Sequence, residues 1–153
     1  MTIAVLLAGG VDPGFQMDIP KQFVNVYNVP IIVYTMKKFQ NHPEVDAIMV
    51  ACLSGWENLV SAYAKQFDID KLQWVIEGGR SGQETSRLAV NKLIENCNKD
   101  DIVIIHDAIR PMVSNELISD SIATCKQKGM GIAAVTSMDN VTVSYTHLTL
   151  PTT

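Results

Sequence analysis

The sequence predicts an α/β fold, a mostly parallel sheet with helices on both faces, doubly wound or three-layered. Three observations predict it. Apolar runs of strand length alternate with amphipathic runs of helical length along the chain. The first run, Ile3 to Leu7, is apolar on both faces, as a central parallel strand is when helices cover both sides. Three strand-like runs end in residues suited to anions: Ala8-Gly9-Gly10, Gly78-Gly79, and His106-Asp107-Ala108-Ile109-Arg110-Pro111.

The elements follow in order. After the first strand, Val11 to Asp18 forms a loop with Pro13 and Gly14. Phe23 to Val26 reads as a short extended piece. A helix spans Ile31 to Phe39, with Pro30 in its first turn and His42-Pro43 ending it. Val45 to Leu53 is the second buried strand. Ser54 offers an N-cap for a helix through Phe67, whose apolar stripe is Leu59, Val60, Tyr63 and Phe67. Leu72 to Ile76 is the third strand. A polar loop, Arg80 to Gln83, precedes a helix starting near Glu84-Thr85 and carrying Leu88, Val90, Leu93 and Ile94.

Asp101 to His106 is the fourth strand. Ser114 caps the next helix, which has Glu116 in its first turn and Lys126 and Lys128 in its last, the order its dipole favours. Gly129 and Gly131 stop it, and Ile132 to Val135 is expected to form a fifth strand. The last stretch, Ser144 to Thr153, has no cap or preceding turn signal and carries four threonines. It is expected to be a non-native read-through tail, leaving residues 1–143 as one domain that lacks its C-terminal part.

Composition narrows the function classes. A chain of 153 residues with a formal charge of −4 suits one globular domain. Nucleic-acid and membrane-surface partners select basic patches, and the only basic doublet is Lys37-Lys38. Cys52, Cys97 and Cys125 are odd in number and far apart, which argues for reduced thiols and against a zinc site. No secretory leader pattern opens the sequence and no apolar run is of bilayer length, so a cytoplasmic protein is expected.

Ligands of open parallel sheets bind beyond the carboxyl ends of the strands, where strand order reverses. Glycine pairs there let backbone N–H groups approach an anion, and Lys21, in Ile19-Pro20-Lys21-Gln22-Phe23, adds a mobile positive charge. The spacing G-x-G-x-x-G of dinucleotide sites and the Gly-Lys-Ser/Thr of a Walker A loop are both missing. Asp107 is the best candidate for a magnesium ligand, or else it pairs with Arg110 or caps the next segment. Asp139 is a second carboxylate candidate or a turn residue. Arg110 suits an anionic substrate group, while His106 reads as a strand-end histidine satisfied by backbone. Thr85 and Ser86 either cap a helix or line the pocket rim.

Taken together and in this order, Ala8-Gly9-Gly10, Pro20-Lys21-Gln22, Gly78-Gly79 with Thr85 six residues on, and His106-Asp107-Ala108-x-Arg110-Pro111 resemble one family. It is that of the cytidylyltransferases acting on 2-C-methyl-D-erythritol 4-phosphate, with their ribitol 5-phosphate relatives. The resemblance covers Thr2 to about Val143. It implies the three-layer, Rossmann-like sheet of nucleotide-diphospho-sugar transferases, CTP and a polyol phosphate as substrates, Mg²⁺ as cofactor, and a homodimer at full length. It further implies that Ala8, Gly9 and Gly10 wrap CTP, that Gly79 and Thr85 read cytosine, and that Ala108 touches ribose. Asp107 matches the magnesium-linked aspartate, Arg110 a residue near the acceptor, and Lys21 the lysine that stabilises the transition state.

The sequence departs from the family at three places. Gly14 stands where the first loop usually carries an arginine, and Arg80 is a candidate substitute. Asn140 stands where the family has threonine, and the family's C-terminal part is missing. The expected activity is transfer of CMP from CTP to a polyol phosphate with release of pyrophosphate. Its rival is a non-catalytic nucleotide-binding remnant or inactive fragment of the same family.

Overall fold

The structure is a computed structural model and describes residues 1–10 and 18–134. In chain order it runs β1 (Thr2–Ala8), a single 3₁₀ turn (Lys21–Phe23), β2 (Asn25–Val26), β3 (Val29–Pro30), α1 (Ile31–Gln40) and β4 (Ala47–Cys52). It continues through α2 (Glu57–Gln66), β5 (Leu72–Glu77), α3 (Gly82–Asn96), β6 (Ile102–Asp107) and α4 (Asn115–Lys128). The main sheet is parallel, with strand order β5-β4-β1-β6.

β1 lies inside the sheet, flanked by β4 and β6, and its apolar residues are needed on both faces. Ile3 sits opposite Ala47 of β4 and Val103 of β6. Ala4, Leu6 and Ala8 pack into the larger core with Ile32, Val33, Met36 and Phe39 of α1, Val60 of α2, and Ile118 and Ile122 of α4. Ile3 and Val5 face the other way, against Ala89 and Leu93 of α3. The expected helices on both faces are therefore present, three on one side and α3 on the other.

Four local expectations are corrected. The piece expected to be extended from Phe23 to Val26 instead begins inside the 3₁₀ turn and ends in an antiparallel hairpin of β2 and β3. Its tip, Tyr27 and Asn28, is left-handed at both positions (φ 51° and 61°), the backbone a two-residue hairpin demands. α2 starts at Glu57 and Ser54 does not cap it. Gly55, left-handed at φ 89°, breaks the approach, and its N–H is taken by Glu57 at 2.8 Å.

α3 starts at Gly82, earlier than expected, because Ser81 and Glu84 form a capping pair. Ser81 Oγ accepts the Glu84 N–H at 3.1 Å, and the Glu84 carboxylate reaches back to the Arg80 N–H at 2.8 Å. Finally, Ile132 to Ala134 of the expected fifth strand run without regular structure. There the chain lies along α4: a Cβ on Gly131 would sit 3.1 Å from the Ser121 carbonyl oxygen. Val135 and the expected tail lie outside the described residues. α4 itself matches expectation, with Ser114 Oγ accepting the Leu117 N–H at 3.1 Å and Gly129 ending it at φ 81°.

Candidate nucleotide site

Strand order reverses at β1, and the loops leaving the sheet there are tied to one another by backbone. The Ala108 N–H donates to the Leu7 carbonyl at 3.0 Å, closing the end of β6 onto β1. The Gly78 N–H donates to the Cys52 carbonyl at 2.7 Å, closing β5 onto β4. Gly9 bridges the two halves. A Cβ there would lie 3.3 Å from Thr85 Oγ1 and 3.7 Å from Gly78 Cα, so glycine lets the first loop rest closely on the third. The expected residues Ala8, Gly9, Gly79, Thr85 and Ala108 are thus brought together. Of these, Gly9 and Gly79 line a cleft of about 790 Å³ together with Ser54, Glu77, Arg80 and Leu88, a volume suited to a small-molecule ligand. Lys21, Asp107, Ala108 and Arg110 are not in its lining.

Thr85 holds one wall. It is 2% exposed, donates its hydroxyl proton to the Ser81 carbonyl at 2.8 Å and accepts the Gly79 N–H at 2.9 Å. Its contribution to the cleft is the fixed shape of the Gly78–Gly79 loop. Gly10 is different: among the described residues a Cβ there would meet nothing within 4 Å. Arg80, next to Gly79 in the chain, also lines the cleft.

Lys21 opens the 3₁₀ turn and is half-buried. The turn is fastened to the site by its next two residues. Gln22 donates from Nε2 to the Ala8 carbonyl at 2.7 Å, and Phe23 stacks on Trp56. On the other side of β1, Thr35 of α1 donates from Oγ1 to the Ala108 carbonyl at 2.7 Å. The sequence reading gives neither residue a role, although Gln22 stands in the Pro20-Lys21-Gln22 motif. The available signal is a polar side chain within an apolar stripe, since both are buried.

Asp107 ends β6 and Arg110 follows in a turn where the Arg110 N–H donates to the Asp107 carbonyl at 3.1 Å. Arg110 Nε stands 3.6 Å from Asp107 Oδ2 with both side chains open to water, a pairing too loose to commit either group. His106 Nε2 donates to the Arg110 carbonyl at 2.8 Å and its ring leans on Phe39, so the backbone-satisfied reading of His106 holds. Burial first, and then the nearby Glu57 charge, push the Cys52 thiol up to about 12, which keeps it protonated at the end of β4.

The donor set can be tested against magnesium. Among the described residues no group of three or more His, Cys, Asp or Glu converges on one point. One exposed carboxylate at a strand end is still a fitting partner for Mg²⁺, which keeps several waters and takes most remaining ligands from phosphate oxygens. Asp139, Asn140 and Gly14 lie outside the described residues.

Comparison with known proteins agrees with this architecture. A crystal structure of 4-diphosphocytidyl-2C-methyl-D-erythritol synthase superimposes with TM-score 0.68 at 23% identity, covering 83% of this chain and 55% of that one. A second such synthase, from Anaerococcus prevotii, gives TM-score 0.64 at 17% identity, covering 82% of this chain and 51% of that one. These likenesses establish the fold. A ribitol-5-phosphate cytidylyltransferase of Lacticaseibacillus paracasei is 40% identical over 97% of this chain and 64% of its own length. One from Vibrio parahaemolyticus is 38% identical over 86% of this chain and 56% of its own length. A 2-C-methyl-D-erythritol 4-phosphate cytidylyltransferase of Syntrophus aciditrophicus is 32% identical over 91% of this chain and 58% of its own length. The chain therefore spans about three-fifths of the length of these relatives. The family described as IspD, 2-C-methyl-D-erythritol 4-phosphate cytidylyltransferase, matches residues 2–152, and the chain belongs to that family.

Proposed function

We propose that this chain carries the CTP-binding part of an enzyme that transfers CMP from CTP to ribitol 5-phosphate and releases pyrophosphate. The observation that carries the reading is a cleft lined from the ends of β1, β4 and β5, with the end of β6 bonded to β1 through Ala108 and the Lys21 turn bonded to β1 through Gln22. Ribitol 5-phosphate is favoured as acceptor because relatives named for it reach 40% and 38% identity. The erythritol-phosphate acceptor is the second reading, favoured by the family's own description.

A phosphate monoester oxygen is already a nucleophile, so the site needs no general base. That oxygen attacks the α-phosphorus of CTP in line, a new P–O bond forms, and the bond to the β-phosphate oxygen breaks with pyrophosphate as leaving group. The work of the chain is placement and charge neutralisation. Open backbone at Gly10 offers an approach for phosphate oxygens, Lys21 balances charge at the α-phosphate, and Arg110 holds the acceptor's phosphate in its bidentate fork. Asp107 would hold Mg²⁺, which when bound supplies further neutralisation of the triphosphate. Among the described residues no helix is long and apolar enough to cross a membrane, and the reading places the full-length enzyme in the cytoplasm as a homodimer.

The test is pyrophosphate release by the chain and by its full-length reading frame, given CTP, Mg²⁺ and each polyol phosphate in turn. Release with ribitol 5-phosphate, abolished in Lys21→Ala and in Asp107→Ala, supports the proposal. Release only with the erythritol phosphate moves the acceptor to the second reading. Saturable CTP binding without release by either protein identifies a non-catalytic remnant, and no CTP binding at all overturns the reading.

A further inference from the structure

The stretch from Gln22 to Thr35 reaches both lips of the crevice where strand order reverses, and supplies each with one buried donor. Gln22 Nε2 donates to the Ala8 carbonyl at 2.7 Å, and Thr35 Oγ1 to the Ala108 carbonyl at 2.7 Å. Gln22 is 3% exposed and Thr35 is 0% exposed. We propose that Gln22 and Thr35 are positioning residues, which set the direction of the peptide groups that leave β1 and β6 toward the nucleotide. The proposal rests on the nucleotide-binding reading above and adds to it the devices that orient the loops.

The argument for Gln22 is geometric. The Leu7 carbonyl accepts the Ala108 N–H at 3.0 Å and so points toward β6. Successive carbonyls of a strand point to opposite sides, which sends the Ala8 carbonyl away from β6, where Gln22 holds it. In a trans peptide the carbonyl and the following N–H are antiparallel. The Gly9 N–H is therefore turned toward β6, into the crevice. Glycine has no Cβ to resist rotation of that peptide, so the orientation depends on the bond at Ala8. Only a donor serves: a carboxylate at position 22 would set lone pairs against the carbonyl, and an apolar side chain would leave it unbonded.

Thr35 does the equivalent for the other lip. Ala108 lies inside the turn in which the Arg110 N–H donates to the Asp107 carbonyl at 3.1 Å. Anchoring the Ala108 carbonyl from α1 fixes the base on which the Asp107 and Arg110 side chains stand.

Gln22→Met and Thr35→Val keep volume and remove the donor, while Thr35→Ser keeps the hydroxyl. Ser119→Ala serves as a stability control, removing the contact of 2.9 Å with His42, which lies beside the amino ends of β4 and β5. CTP affinity with Mg²⁺ is measured by titration calorimetry beside melting temperature and the Gly9 amide signal in proton–nitrogen spectra. Gln22→Met and Thr35→Val are expected to weaken CTP binding by about tenfold, the loss of one buried hydrogen bond. Thr35→Ser should bind as the parent does, and Ser119→Ala should melt earlier without losing affinity. Parent-like binding by Gln22→Met and Thr35→Val, or equal weakening in Ser119→Ala, overturns the proposal. If the parent itself binds no CTP, the nucleotide reading fails separately and the Gly9 signal decides. A displaced signal in Gln22→Met then supports control of that peptide, and an unmoved one overturns it.

Discussion

Phe23 lies flat on Trp56, ring centroids 4.6 Å apart and planes 11° from parallel. The pair joins the turn that carries Lys21 to the residue preceding α2, across the carboxyl ends of the strands. Phe23→Ala should cost about 3–5 kcal/mol, read as a lower urea midpoint. Phe23→Leu keeps most of the buried area and forfeits the stack, about 1 kcal/mol. Both should slow pyrophosphate release more than their stability loss explains, because Lys21 rides on the same turn.

Three of the four loop glycines at these strand ends should separate cleanly on substitution by alanine. At Gly78 a Cβ would meet Thr85 Cγ2 at 3.1 Å and the Cys52 carbonyl oxygen at 3.3 Å, neither free to retreat. Gly78→Ala is therefore expected to lose about 1–3 kcal/mol in a thermal or urea melt. Gly9→Ala meets Thr85 Oγ1 at 3.3 Å and should fall between. Gly10→Ala meets nothing within 4 Å among the described residues, so its stability should match the parent while CTP affinity drops.

Thr85→Val leaves the Gly79 N–H and the Ser81 carbonyl without the hydroxyl that serves both. The expected cost is about 1–3 kcal/mol in a melt, largely restored by Thr85→Ser.

Asp107→Asn should split stability from activity. The pair with Arg110 at 3.6 Å is solvent-exposed, so its loss is worth at most about 1 kcal/mol. Pyrophosphate release should nevertheless fall by about a hundredfold or more if the carboxylate serves the triphosphate. Parental turnover in Asp107→Asn would remove Asp107 from the site.

Cys52 gives a pH dependence. Its thiol is held at about 12 in the folded chain against 9.0 ordinarily, by burial and then by Glu57. Above pH 9 the unfolded chain releases a proton that the folded chain retains, so stability falls as pH rises from 9 toward about 12. Urea midpoints of Cys52→Ala should decline less steeply over that window than those of the parent. Below it, Cys52 should resist thiol reagents until the protein unfolds.

Much of this architecture is legible in the residues. Ile3 to Leu7 and, within the run Val45 to Leu53, Ala47 to Cys52 are apolar on both faces, a pattern suited to a covered parallel strand. Ser114 and Gly129 bracket α4 with their usual chemistry. The start of α3 is also written there, as Ser81-x-x-Glu84, but Gly82 makes the segment read as loop. The hairpin tip Tyr27-Asn28 is harder, since tyrosine is an uncommon choice for a left-handed turn. At the proposed site, glycine pairs and Lys21 announce themselves by type. Gln22 and Thr35 do not, because their partners are backbone carbonyls 14 and 73 residues away. No local periodicity encodes such a contact.

The strand order also sets a timetable. β1 is made first, yet its neighbours are Ala47–Cys52 and Ile102–Asp107. On a ribosome the earliest strand waits longest for its second partner, and a β1–β4 pair stands with one open ladder until β6 emerges. Pairings that distant in sequence form slowly and leave apolar edges exposed meanwhile. Synthesis rate and chaperone access over that interval should therefore govern the yield of folded protein more than the stability of the finished sheet.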